Sequence, residues 1–187
     1  HQSVKKLIEA TLKDRYNYHS NFDAVRDAIQ ARDGETVEKL IAEKPELATA
    51  SDAFGNTGLH WATLTRQTQL IDRFLELGVS IDAKRADGQT PILLSINGDY
   101  WYRWNRNLPK EAMNNPWVIT GYLLAKDATV TLGVACSLAN QTQVETRLKA
   151  NPQSANTRDE QGASPLYHAV RSNQLKIVEI LLKHGAD

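Results

Sequence analysis

Two stretches of the sequence decide the fold: Thr57-Gly58-Leu59-His60-Trp61-Ala62 and, later in the chain, Ser164-Pro165-Leu166-Tyr167-His168-Ala169. In each, a residue with a hydroxyl group stands at the start of a short, largely apolar segment. Such a side chain caps the free N–H groups of a helix, and proline fits the first helical position without losing a hydrogen bond. Both stretches therefore predict the beginning of a helix.

The shift that aligns Thr57 with Ser164 also aligns the elements that flank the two stretches. The turn sequences Asp52-Ala53-Phe54-Gly55 and Asp159-Glu160-Gln161-Gly162 precede them, and each turn has the glycine that a positive φ favours. Apolar residues with helical spacing follow, at 70–75 and at 177–182. These features predict a turn, a first helix and an amphipathic second helix in each unit.

A shorter offset shows that the pattern is a repeat. Thr90, which precedes Pro91, lies 33 residues after Thr57, and Gly88 lies 33 residues after Gly55. Gly78 and Gly185 end the second helices of two units. The chain is thus predicted to be an array of units of about 33 residues.

These motifs make the sequence similar to the ankyrin-repeat family, whose repeats carry a T-P-L-H-x-A pattern. Gly58 replaces the proline of that pattern, and only His60 keeps its histidine. The resemblance implies an all-α solenoid of stacked helix-turn-helix units joined by short β-turn loops. It also implies that His60 forms hydrogen bonds that join neighbouring turns, whereas His168 is displaced by one position and has no implied role.

The pattern predicts five units within residues 20–187. We place them at about 20–50, 51–82, 83–128, 129–156 and 157–187, with an insertion at 98–114 in the third. Residues 1–19 contain Val4, Leu7, Ile8 and Leu12 on one helical stripe. We expect an N-terminal helix that caps the array; a linker from a preceding domain is the alternative.

The last predicted helix is unusually apolar for a terminal one. It carries Ile177, Val178, Ile180, Leu181 and Leu182. We expect further repeats, another domain or an oligomer partner to cover it. Finding all five side chains packed inward against the fourth unit would contradict this expectation.

The insertion concentrates aromatic and basic side chains. Tyrosine, tryptophan and arginine are typical anchors of recognition surfaces, and aromatic rings also stack on sugars or aromatic ligands. Local packing over the array would explain the same composition. The candidate insertion surface comprises Tyr100, Trp101, Tyr102, Arg103, Trp104 and Arg106.

Composition argues against several other functions. Lys and Arg number 22 and Asp and Glu number 22, so bulk charge does not indicate a nucleic-acid partner. No apolar run has the length that a membrane span needs. The single Cys136 forms no internal disulfide, and we expect it to be buried and inert. No catalytic motif, cofactor motif or metal-ligand pattern is present, so we expect a protein that is not an enzyme and has no cofactor or metal site.

We therefore expect a protein-interaction module with another protein as its partner. What the resemblance implies is recognition through turn tips and first helices, and Phe54 is the best single anchor. The predicted contact residues are Phe54, Asn56, Leu64, Thr65, Arg85, Gln89, Gln161 and Arg171, with Ala53, Ala86 and Glu160 beside them. A small-molecule or carbohydrate site on the insertion and a regulatory segment of a larger enzyme are the alternatives. A cytoplasmic location is favoured, and the absence of an initiating methionine leaves a processed or exported form open.

Overall fold

The protein is described by a computed structural model, which covers residues 2–97 and 117–187. Eleven α-helices form within these residues, together with two 3₁₀ segments and two isolated β-bridges. This confirms the predicted all-α fold. The chain divides into two compact units, His1–Lys126 and Asp127–Asp187, each of which is described by itself.

The first unit contains seven of these helices. They are α1 (Gln2–Tyr16), α2 (Phe22–Ala31), α3 (Gly34–Glu43), α4 (Gly58–Leu64), α5 (Thr68–Glu76), α6 (Pro91–Asn97) and α7 (Trp117–Ala125), with a 3₁₀ segment at Pro45–Ala48. Helix α2 packs against α4, and α4 packs against α6. Val25, Leu59 and Ile92 occupy equivalent positions on these three helices and are fully buried. The first helices of successive pairs therefore share one apolar core.

The second unit contains two helix pairs. They are α8 (Leu132–Ser137) with α9 (Gln141–Ala150) and α10 (Pro165–Arg171) with α11 (Leu175–Lys183), and a 3₁₀ segment at Pro152–Asn156 lies between them. Its core is formed by Ala135, Cys136, Val144, Leu148, Ala155, Ala169, Ile177 and Leu181. Burial raises the pKa of the Cys136 thiol to about 12, so this cysteine is the inert, buried residue that was predicted.

A repeated backbone signature ends the first helix of four pairs. Arg32, Arg66, Ala139 and Asn173 have φ values of 60, 57, 56 and 56°. Each comes one helical turn after a buried alanine on the helix before it, at positions 28, 62, 135 and 169. The small side chain allows the neighbouring helix to approach closely, and the left-handed residue then reverses the chain into the second helix.

The first helix of the chain has an apolar stripe that is largely exposed. Helix α1 forms, and of its predicted apolar stripe Val4, Leu7 and Ile8 are more than half exposed, while Leu12 is partly buried. The attachment lies at the end of α1, where the Ser51 hydroxyl donates to the Tyr16 carbonyl oxygen at 2.7 Å and Tyr18 forms a bridge with Ser51. Capping by α1 remains a prediction.

In helix α11, Ile177 and Leu181 are buried, while Val178 and Ile180 are partly buried against the same core. Leu182 is 54% exposed. The five apolar residues of this helix therefore do not all pack inward.

Gly58, the departure from the family pattern, has a packing cause. A Cβ atom added at Gly58 would lie 2.1 Å from Cζ of Phe74, whose ring is fully buried on α5. In the last repeat, Pro165 and Leu181 occupy the equivalent positions. The large ring and the missing side chain thus compensate for each other.

We expect Gly58→Ala to lower the free energy of unfolding by about 1–3 kcal/mol, since the methyl group overpacks the core against Phe74. Gly34→Ala is the matched control, because Gly34 also begins a helix but has nothing within 4 Å of its Cβ position. The double variant Gly58→Pro/Phe74→Leu should lose less free energy of unfolding than the two single variants lose together. Additive losses in urea unfolding would contradict this compensation.

Candidate functional site

The candidate site is built on two turns of the first unit that share one geometry. In the turn at 52–56, the Asp52 N–H donates to the Asn56 carbonyl oxygen at 3.0 Å, and Gly55 has a φ of 78°. In the turn at 85–89, the Arg85 N–H donates to Gln89 at 3.1 Å, and Gly88 has a φ of 77°. Both turns were predicted from their glycines, and both place side chains at the tip.

The buried carboxylate of Asp52 shapes the first turn. Its Oδ1 accepts hydrogen bonds from the N–H groups of Phe54 and Asn56, both at 2.9 Å. Its Oδ2 accepts from the indole Nε1 of Trp61 on α4 at 3.0 Å. Because a buried carboxylate needs several donors, these bonds fix the turn and its attachment to the helix together.

The last repeat uses the same bond with a different ring. The Oδ1 atom of Asp159 accepts from the N–H groups of Gln161 and Ala163, and its Oδ2 lies 2.7 Å from Nε2 of His168. His168 is the positional equivalent of Trp61, so the histidine for which the family pattern implied no role replaces an indole as the partner of the turn.

The middle turn changes both members of the pair. Arg85 occupies the position of Asp52, and the apolar Leu94 occupies the position of Trp61. The turn is instead held by Asp87, whose Oδ1 accepts from the Gln89 N–H at 3.1 Å. Carboxylate and ring donor are therefore absent together, which avoids an unpaired buried charge.

Hydrogen bonds join the two turns directly. The Ala86 N–H donates to the carbonyl oxygen of Phe54 at 2.8 Å, and the Arg85 guanidinium donates to Oδ1 of Asn56 at 3.2 Å. The approach is so close that a Cβ atom at Gly55 would lie 2.9 Å from the Ala86 nitrogen. The surface around Phe54 is thus rigidly supported.

His60 provides a further bond between the turns, as the family resemblance implied. Its Nδ1 accepts from the N–H of Thr57 at 3.1 Å, and its Nε2 lies 3.3 Å from the carbonyl oxygen of Gln89. Burial lowers the pKa of His60 to about 4. The ring is therefore neutral at pH 7, with Nε2 as its donor.

Acid should destabilise the first unit through His60. The unfolded ring has a pKa near 6.5 and the folded ring near 4, so the unfolded state binds the proton first as the pH falls. We expect this residue alone to remove about 2 kcal/mol of stability between pH 7 and pH 5. Urea unfolding of the wild type and of His60→Gln should show a smaller loss in the variant. Titration of the His60 ring protons with an NMR midpoint above pH 6 would contradict the assignment, whether or not the variant folds.

An open groove of about 680 Å³ lies between these turns and helix α2. Its rim carries Phe54, whose side chain is 72% exposed although its backbone is fixed on both sides. The other lining residues are Arg26, Asp27, Gln30, Asp52, Asn56, Trp61, Arg85, Ala86 and Asp87. We call this feature the turn groove.

The predicted contact residues separate into two groups in the first unit. Phe54, Asn56 and Arg85 line the turn groove, and Gln89 is half-buried in the turn beside it. Asn56, Leu64 and Thr65 are buried, with side chains that are 4, 9 and 1% exposed. Two of these side chains bond within the protein: the Asn56 amide bonds to Asp52, and the Thr65 hydroxyl bonds to the Trp61 carbonyl oxygen at 2.7 Å. That the three residues contact a partner stays a prediction.

The remaining predicted residues lie elsewhere. Gln161 and Arg171 are exposed in the second unit, where the Arg171 guanidinium donates to the Tyr167 hydroxyl at 3.1 Å. The insertion surface of Tyr100, Trp101, Tyr102, Arg103, Trp104 and Arg106 falls outside the described residues.

Sequence reasoning missed the wall that α2 contributes to the groove. Arg26, Asp27 and Gln30 lie on a repeat that keeps little of the family pattern, so no motif marked them.

Sequence reasoning also missed a pair of equivalent glutamines. Gln67 donates to the Ile29 carbonyl oxygen at 2.8 Å, and its repeat equivalent Gln174 donates to Ser137 at 3.3 Å. Both positions hold glutamine when the repeat that contains Thr57 is aligned with the repeat that contains Ser164, and this agreement was the signal available in the sequence.

Across residues 2–97 and 117–187, no cluster of three His, Cys, Asp or Glu side chains could hold a metal ion. In the same ranges, none of the helices combines the length and the apolar character needed to cross a bilayer.

The family model "Ankyrin repeat" matches residues 161–187. The chain is also 32% identical, over 183 residues, to the phosphocholine transferase AnkX of Legionella pneumophila; this match covers 88% of the chain and 16% of that protein.

Two shorter matches fall on other proteins. An intracellular phospholipase A2 of Caenorhabditis elegans is 41% identical over 61 residues, which are 32% of the chain and 6% of the relative. The 26S proteasome non-ATPase regulatory subunit 10 of mouse is 33% identical over 72 residues, which are 38% of the chain and 31% of the relative. The chain thus spans less than a third of each of these three proteins.

Proposed function

Since the chain belongs to the ankyrin-repeat family, we propose that it is a protein-interaction module whose partner binds the turn groove of the first unit. Ankyrin repeats are in general modules of this kind. The observation that carries the proposal is the exposed ring of Phe54 at the rim of the groove. Aromatic side chains beside a pocket are typical binding anchors.

The rigidity of the turn supports the same proposal. The carbonyl oxygen of Phe54 accepts from Ala86, and the Phe54 N–H is bonded to Asp52. An anchor whose backbone is already fixed loses little conformational entropy when a partner binds, so more of the contact energy appears as affinity.

The test uses a random peptide library displayed on phage and panned against the chain. We expect Phe54→Ala to weaken the selected peptides by about tenfold or more, as for a binding hot spot. Leu7→Ala is the matched control, because Leu7 is 68% exposed on α1 but does not line the groove. Equal binding by the two variants, or stronger loss with Leu7→Ala, would contradict the proposal.

A second proposal concerns the protein to which this module belongs. The match to the Legionella phosphocholine transferase covers most of the chain but a small part of that protein. This relation supports a segment that recognises partners or substrates on behalf of a larger protein, without catalytic groups of its own. Immunoblots of the source cells with an antibody against the chain should show a band much larger than 20.9 kDa; a band at that size alone would contradict it.

We also propose that a further helix pair of the same kind covers the exposed strip of α10 and α11. The strip consists of Tyr167, Val170 and Leu182, which are 49, 61 and 54% exposed. The equivalent residues of the preceding pair are Gly133, Cys136 and Leu148. The last two are fully buried, and a Cβ atom at Gly133 would lie 2.7 Å from the His168 ring on α10. Within the second unit, the strip thus corresponds to a surface that the next pair already covers.

Appending a second copy of residues 155–187 after Asp187 tests this. The extended chain should have a higher melting temperature, because each repeat gains stability from its neighbour. Val170→Glu in the first copy should cancel that gain and should leave the unextended chain nearly unchanged. An extension that adds no stability would contradict the proposal.

A further inference from the structure

The groove carries an excess of negative charge, which begins on helix α2. The Arg26 guanidinium lies between two carboxylates, 2.7 Å from Oδ1 of Asp23 and 2.8 Å from Oδ1 of Asp27. Both bonds from Arg26 to Asp27 use Oδ1 of the carboxylate, and the Asp27 side chain is 64% exposed. One arginine is therefore shared by two acids, and Oδ2 of Asp27 remains available to a partner.

On the opposite wall, a second arginine is also paired with an acid. The Arg85 guanidinium donates to both carboxylate oxygens of Asp87, at 2.8 and 2.7 Å. Although burial opposes it, bonding from Arg85 and Gln89 holds the pKa of Asp87 below its usual value, so this carboxyl is ionised at pH 7. Asp52 accepts its bonds from the neutral donors of the turn and of Trp61. Arg85 is thus paired with Asp87 across the turn.

The groups that line the groove have a formal charge of minus one, from three carboxylates (27, 52 and 87) and two guanidinium groups (26 and 85), and Asp23, which pairs with Arg26 beside the groove, brings it to minus two. An anionic ligand would be repelled by this excess of negative charge, because both arginines are already paired with acids. A cation would be attracted, and the exposed ring of Phe54 adds a face over which a cation is stabilised.

From this combination we propose that the turn groove recognises an arginine side chain on an extended segment of the partner protein. The guanidinium stacks on the Phe54 ring and pairs with Oδ2 of Asp27. Arginine fits better than lysine because its planar group stacks on a ring and donates several hydrogen bonds at once. This inference rests on the proposed function and specifies the chemistry of its partner.

The experiment starts from the peptides that the panned phage library yields. One peptide is synthesised with arginine, and in matched versions with citrulline, lysine or glutamate at the same position. Citrulline keeps the shape of arginine and removes its charge. Binding of each version is measured by fluorescence polarisation to the wild type, to Asp27→Asn and to the control Asp14→Asn, which changes an exposed acid of α1 outside the groove.

With the wild type and with Asp14→Asn, we expect citrulline to weaken binding by about tenfold, lysine by less and glutamate by more. With Asp27→Asn, the cost of citrulline should fall to about threefold or less, because the charge has lost its partner. Circular dichroism should show Asp27→Asn to be folded, since the ion pair that it removes is exposed.

The outcomes separate the two proposals. Selected peptides that lose affinity with Phe54→Ala but lack arginine, or whose arginine tolerates citrulline, would overturn this inference and leave the groove as the binding site. Selected peptides that are insensitive to Phe54→Ala would overturn the proposed function itself. An undiminished citrulline effect in Asp27→Asn would overturn the assigned ion pair.

Discussion

The turn groove depends on one buried interaction, the carboxylate of Asp52 with its backbone and indole donors. Two N–H groups of the turn bond to one oxygen, and the Trp61 ring on α4 bonds to the other. Without these donors a carboxylate that is 3% exposed would carry a large desolvation cost. Turn and helix therefore hold each other in place, and the position of Phe54 follows from both.

Comparison of the repeats shows that this interaction changes as a unit. Asp52 pairs with Trp61 and Asp159 pairs with His168, whereas Arg85 replaces the acid where Leu94 replaces the ring. The same logic governs the core, where Gly58 accompanies Phe74. What repeats along the chain is therefore a set of satisfied contacts, and the residues that form them vary in pairs.

This pairing explains how far the sequence could lead. The repeat pattern predicted the glycine turns, and the family resemblance implied the bond of His60, because each depends on one backbone position or one donor. It did not predict the burial of Thr65, since a short helix turns such a residue inward or outward depending on its neighbours. Nor did it reveal Asp27 as a groove residue, because that position becomes part of the site only when a turn from the next repeat lies beside it.

The charge of the groove follows from the same geometry. In the middle turn, Arg85 stands at the position of the acid and Leu94 at the position of the ring donor, and Asp87 is the partner of Arg85 across the turn. Arg26 is held in a similar way by Asp23 and Asp27 on one helix face. Both guanidinium groups are thereby paired with acids, and the side chains of Arg26 and Arg85 are only 28 and 12% exposed. Their acids keep an excess of negative charge beside an aromatic ring, so the feature that would attract the proposed cationic partner is a consequence of how two adjacent repeats satisfy their own polar groups.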